Sequence, residues 1–159
     1  MLIWLVVLAC LTGIALLFGA PYVPTHKEAV DKAIKLTGLR KGQLMLELGA
    51  GDGRIALAAA KKGIKVVAFE VNPLLWVVAK IHTWRYRKLI NLRLADFKSA
   101  HWPKDAKAIY VFGNKFSMNY VARRLERWPG PIKVICYGIG MPNKEPDKTD
   151  GALLRYDVD

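Results

Sequence analysis

Hydrophobic positions change their rhythm repeatedly along this chain. Leu2 to Ala20 is one apolar run, LIWLVVLACLTGIALLFGA, with no charged residue in it. Beyond it, helical spacing alternates with short solid runs. A helix is predicted from His26 to about Thr37, with Ala29, Val30, Ala33, Ile34 and Leu36 available for an apolar face and Gly38 as its stop. Thr25 is its N-cap, and Thr25-x-x-Glu28 has the spacing of a capping box. QLMLEL reads as a buried strand, RIALAAAKKG as a short helix ending at Gly63, and KVVAFE as a second buried strand. PLLWVVAKIHTWRYRK is a helix with Pro73 in its first turn. NLRLAD and AIYVF are strands, SMNYVARRLERW a helix, IKVICYG a strand, and the tail GALLRYDV adds one more. Strands alternating with helices predict an α/β fold, a parallel sheet with helices on both faces and right-handed crossovers.

The first run belongs to a different solvent. About 20 apolar residues span the roughly 30 Å hydrocarbon core of a bilayer, and Leu2–Ala20 has that length. A cleaved signal peptide fits less well. No positive residue precedes the run, and a cut after Ala20 would leave Phe18 where a small residue is wanted. The expectation is an N-terminal transmembrane helix over residues 1–20, a connector and first helix over 21–40, and a folded domain over 41–159. The prolines of PYVPT stiffen the connector. Lys27, Lys32, Lys35, Arg40 and Lys41 follow the span closely, which places the domain on the cytoplasmic, or equivalent inner, side of a single-pass protein.

Composition alters this picture in two respects. The net charge of +12 on 159 residues points to anionic partners, with a merely solvated basic face as the alternative. Cys10 and Cys136 lie far apart in apolar runs without metal-ligand spacing, so neither a disulfide nor a metal is expected.

The chemistry is concentrated in ELGAGDGR, Glu47 to Arg54. A strand that passes through a glycine-rich turn into a helix makes a nucleotide site, because glycine lets the backbone approach a ligand closely. The spacing Gly49, Gly51, Gly53 is G-x-G-x-G, whereas a dinucleotide fingerprint is G-x-G-x-x-G. A P-loop would need Lys and Ser or Thr where Arg54 and Ile55 stand. Glu47 would repel a phosphate and suits a ligand bearing an amine or a sulfonium. Glu70, ending the second strand, is placed to accept from ribose hydroxyls. Asp96, ending the third, is placed to hold an adenine amino group with Phe97 beside the ring.

From about Lys41 to Gly138 these residues resemble the class I, seven-stranded methyltransferases that use S-adenosylmethionine, a Rossmann-like sheet. The resemblance implies that Glu47, Gly49, Gly51, Asp52 and Gly53 bind the methionine side of S-adenosyl-L-methionine, Glu70 and Asn72 its ribose, and Asp96 and Phe97 its adenine. Members acting on adenine or glutamine carry Asn/Asp-Pro-Pro-Tyr after the fourth strand; FGNKF stands here and disfavours those acceptors.

PYVPT, ELGAGDGRIALAAA and ICYGIGMP narrow the match. Over about Pro21 to Pro142 they look like a family of membrane-associated protein-lysine methyltransferases acting on the ATP synthase c-subunit and the adenine nucleotide translocase. That resemblance implies a lysine acceptor on a membrane protein. About one strand's worth of sequence follows Pro142, so the last strand of the family's sheet is expected to be absent or short. An apolar, aromatic slot lowers a lysine's pKa and so helps it lose its proton. Tyr22, Phe112 and Asn114 are the candidates to form that slot, Asn114 orienting the amine through its oxygen. Each has a plainer reading: Tyr22 as an interfacial anchor, Phe112 as core, Asn114 as a helix-start residue. The basic stretch KIHTWRYRKLINLRLADFK lies against an anionic lipid bilayer, stacks on nucleic acid, or is a solvated face. Lipid is the preferred partner, because the anchor already holds the domain beside it.

Overall fold

The structure, a computed structural model, describes residues 27–159. The apolar run, the connector with Tyr22, the Thr25 cap and Cys10 lie outside the described residues. Among those described, no helix is long and apolar enough to cross a membrane.

Seven strands form one sheet: β1 (Leu44–Leu48), β2 (Lys65–Glu70), β3 (Ile90–Leu94), β4 (Ala108–Val111), β5 (Ile132–Tyr137), β6 (Lys148–Asp150) and β7 (Leu153–Val158). Their order is β3-β2-β1-β4-β5-β7-β6. The first five are parallel and β7 runs antiparallel to β5. The helices are α1 (Lys27–Thr37), α2 (Arg54–Lys61), α3 (Pro73–Thr83) and α4 (Lys115–Leu125), with a 3-10 turn at Trp84–Tyr86 after α3.

Alternation along the strands builds two cores. Met45, Val66, Ala68, Tyr110 and Ile135 face α1 and α2, where Ala33, Ile34, Ile55 and Ala59 meet them. Leu46, Leu48, Val67, Phe69, Ile109 and Val134 face the other way, onto Met118, Val121 and Leu125 of α4 and onto Trp102. The central strands bury both faces, which is why they read as solid apolar runs.

The expected gap at the end of the sheet is corrected. Lys148–Asp150 pairs with Leu153–Arg155 in a hairpin turning at Gly151 (φ 61°), and this hairpin supplies two strands from the short tail. Leu153 and Tyr156 of β7 are buried, so the strand carries core and not only an edge. A second difference lies at α3. Apolar spacing predicts helix to Lys88, yet regular helix stops at Thr83 and the chain tightens into the 3-10 turn. The Thr83 hydroxyl donates to Ala79 O at 2.7 Å, a back-bond of the kind that perturbs helices.

Candidate functional site

Strand order reverses between β1 and β4, whose neighbours diverge to opposite edges, and open α/β sheets bind ligands beyond the carboxyl ends of strands at such a point. The glycine loop leaves β1 there. Gly49, Gly51 and Gly53 all adopt left-handed φ (87°, 57° and 78°), which is the physical reason for glycine at alternate positions. The N–H groups of Gly49 and Ala50 both donate to Phe69 O, at 3.0 and 2.8 Å, and Gly53 N–H donates to Ala50 O at 2.9 Å. Gly51 N–H donates to Glu70 Oε2 at 2.7 Å. These four amides are engaged within the protein, so the loop is not arranged as a phosphate cradle.

Glu70 holds the site together. Its Oε1 accepts Asn72 N–H at 2.8 Å while Oε2 holds Gly51, so one carboxylate fixes the glycine loop to the start of α3. Asn72 then caps that helix, its Oδ1 accepting the amides of Leu74 and Leu75. Asp52 pairs with Arg54 at 2.7 Å and accepts its backbone N–H, and the Asp52 carbonyl lies 3.1 Å from His82 Nδ1. Gly53 serves packing: a Cβ there would stand 2.9 Å from Thr83 Cγ2 and 3.2 Å from Ala79 Cβ, because α2 and α3 cross closely at this residue.

Glu47 is the unusual group. Strand alternation turns it towards α2, where it is 1% exposed and accepts the Ala56 N–H. Its Oε2 has no hydrogen-bond partner among the described residues. Burial raises its pKa well above the usual carboxylate range; the Ala56 bond opposes this, and the charges of Asp52 and Glu70 add to it. A buried acceptor without a donor is costly, and a cationic ligand group is the chemistry that would relieve it.

Apart from Tyr22, which lies outside the described residues, the remaining predicted residues surround the same rim. Leu94 pairs with Glu70 at the strand ends, and Asp96 follows two residues later, exposed, with Oδ1 accepting Lys98 N–H at 2.9 Å. Phe97 is half-buried and meets Tyr120 edge-on. Phe112 follows β4, half-buried, and its carbonyl would lie 3.7 Å from a Cβ on Gly49. The Phe112 ring sits 5.5 Å from that of Tyr137 at the end of β5. Asn114 caps α4, with Oδ1 accepting Ser117 N–H at 2.9 Å, so the helix-start reading accounts for its oxygen. Sequence reasoning missed Tyr137 and also Val71, an apolar side chain 40% exposed directly after Glu70. The only signal for either was its place at a strand end.

No family model matches the chain. Among solved structures, an RNA methyltransferase from Salinibacter ruber in complex with S-adenosyl-L-homocysteine superposes with a TM-score of 0.78 at 24% identity, covering 86% of this chain and 94% of that one. The fold is that of the class I methyltransferases. Among curated proteins, this methyltransferase-fold chain is 30% identical over 135 residues to the ATP synthase c-subunit lysine N-methyltransferase of Xenopus laevis and 29% over 134 residues to that of Homo sapiens. Each match takes in 82% of the chain. It is also 41% identical over 66 residues to the adenine nucleotide translocase lysine N-methyltransferase of Mus musculus. The chain spans 58% of the length of the Xenopus laevis relative and 57% of the Homo sapiens one.

Proposed function

We propose that this protein is an S-adenosylmethionine-dependent methyltransferase, anchored in a membrane through Leu2–Ala20, that methylates a lysine of a membrane protein. The observation that carries the reading is the buried, unpartnered Oε2 of Glu47 beneath a glycine loop whose amides are already engaged. Such a site fits a cofactor with a cationic amino-acid end and no phosphate. S-adenosylmethionine supplies a methyl group activated on a sulfonium. The chain supplies placement: Glu47 faces the ammonium, and the second lone pairs of Glu70 accept from the ribose. Asp96, Val71 and Phe97 bound the adenine. Phe112 and Tyr137 line an apolar entrance in which a lysine amine is held neutral, and Tyr22, which lies outside the described residues, is a further candidate for it from the sequence alone. Asn114 follows Phe112 by two residues, and its oxygen is engaged in capping α4. Positioning and exclusion of water carry such a displacement. An anchored enzyme meets a membrane substrate at raised effective concentration, and a modest substrate site then suffices.

The similarity to lysine methyltransferases of the ATP synthase c-subunit and the adenine nucleotide translocase supports the acceptor class. A second reading, RNA as acceptor, draws on a recess of about 520 Å³ on the α4 face, lined by His101, Lys104, Arg123, Arg127 and Trp128. One experiment separates them. The purified chain is incubated with native membranes and methyl-labelled S-adenosylmethionine, and the product is divided between protease and ribonuclease. Protease-sensitive, base-stable label on a small membrane protein is the expected result. Ribonuclease-sensitive label would replace lysine by RNA, and absence of label despite cofactor binding would end the enzymatic reading.

Glu70→Ala removes both the ribose acceptor and the tie between loop and helix. It should weaken S-adenosylmethionine binding by about 1–3 kcal/mol, on the order of 10- to 100-fold in Kd. Isothermal titration checks this, and unchanged affinity would place the ribose elsewhere.

A further inference from the structure

The helix α3 carries apolar residues on both its inner and its outer side. At 3.6 residues per turn, Ala79 and Thr83 face inward and are buried, while Leu74, Val77, Val78 and Ile81 form a stripe on the opposite side. Ile81 is 74% exposed, and Trp84, on the turn that follows, is 61% exposed. A surface helix ordinarily keeps polar residues on that side. Four exposed cations border the stripe: Lys80, Arg85, Arg87 and Lys88. Lys80 stands 4.3 Å from the Trp76 ring and Arg87 4.5 Å from that of Trp84, so two of the cations rest on aromatic faces.

We propose that this outer face of α3 lies in the headgroup region of an anionic bilayer, with Val77, Val78, Ile81 and Trp84 inserted and the four cations among the phosphates. The charge pattern decides the occupant. A second copy of the chain would bring the same cations against these, and five side chains fall far short of the roughly 20–30 residues a side of a stable protein interface. An anionic lipid surface offers acyl chains to the stripe and phosphates to its border, the arrangement of an interfacial helix. Tryptophan is the residue enriched at that depth. The inference needs neither the cofactor nor the acceptor. It assigns membrane contact to the folded domain itself, in addition to Leu2–Ala20. The helix begins at Asn72, beside the glycine loop, so a domain seated in this way brings its site down to the bilayer surface.

Cys136 is fully buried and burial pushes its thiol up to about 12, so a cysteine placed on the surface can be labelled selectively. In the full chain carrying Cys10→Ser, Ile81→Cys is labelled with bimane and the protein is reconstituted into phosphatidylcholine vesicles with or without phosphatidylserine. Doxyl-labelled lipid is the quencher. A label at Glu126→Cys, exposed after α4 on the opposite face, is the reference, and the Cys10→Ser chain alone gives the background. Quenching at position 81 is expected to exceed that at 126 by about threefold or more with phosphatidylserine present. Co-sedimentation, read separately, reports whether the chain stays with the vesicles at all. A chain that stays while positions 81 and 126 quench equally would overturn the α3 contact and leave the anchor intact. Shielding of position 81 from aqueous iodide without lipid quenching would mean that protein covers the face, either a second copy or Leu2–Ala20. That result, or equal quenching with and without phosphatidylserine, overturns the proposal.

Discussion

Glu47→Gln should make the ligand-free protein more stable at pH 8 and weaken its hold on the cofactor. The two effects have one cause. Folding raises the pKa of Glu47 above its ordinary 4.5, so the folded state holds a proton that the unfolded state has lost. Stability therefore falls as pH rises from about 4.5 to the folded pKa, and stays low above it. Glutamine keeps the shape and removes the titration. The melting temperatures of variant and wild type should coincide near pH 4 and diverge steadily above it, with the variant higher. Binding runs the other way. The ionised carboxylate is the form that receives an ammonium, and its loss should cost about 1.5–3 kcal/mol, on the order of 10- to 100-fold in Kd. Wild-type affinity should rise as the pH climbs from about 4.5 towards the raised folded pKa of Glu47, with release of a proton visible as buffer-dependent binding heat, while the variant's affinity stays flat. Parallel melting curves for the two proteins at every pH would show that Glu47 does not carry this proton.

That Glu47, Glu70 and Asp96 would gather at one edge of the sheet was legible in the sequence, because each stands at or near the end of an apolar run and the ends of parallel strands lie together. The strand KVVAFE has its predicted bounds for a related reason: Lys65 opens it, and Pro73, directly after the Asn72 cap, begins the next helix. What an acid does once placed was less legible. Glu70 ties a loop to a helix across 19 residues, a bond that depends on the left-handed Gly51. The unpartnered oxygen of Glu47 is a property of the packed site, and no sequence pattern reports a missing donor. β6 escaped for a simpler reason. Lys148, Thr149 and Asp150 contain no apolar residue, so the strand exists only because β7 offers it an edge. The outward stripe of α3 was visible as hydrophobicity but not as exposure, since helical spacing cannot say which of two apolar faces the sheet will take.

The glycine motif divides in its physical roles, and Gly53 shows this most sharply. Gly53→Val should be the most destabilising single change in the motif. A β-branched residue at φ 78° carries about 1–2 kcal/mol of backbone strain. Its Cβ would also stand 2.9 Å from Thr83 Cγ2. That methyl cannot swing away: Thr83 is buried, and rotation about χ1 would break its bond to Ala79 O. Overpacking of this sort adds about 1–3 kcal/mol, and the two together lower the melting temperature by on the order of 10 °C. Gly53→Ala separates the contributions. It keeps the left-handed backbone and the close Cβ but sheds the valine's branches. Combined with Thr83→Ser, which deletes Cγ2 and keeps the hydroxyl, it should recover about 1 kcal/mol or more relative to the sum of the single changes. Chemical denaturation of the four proteins closes that cycle. Strict additivity would mean that Gly53 is required only for its backbone angle, and that the close approach of α2 to α3 contributes nothing to the choice of glycine.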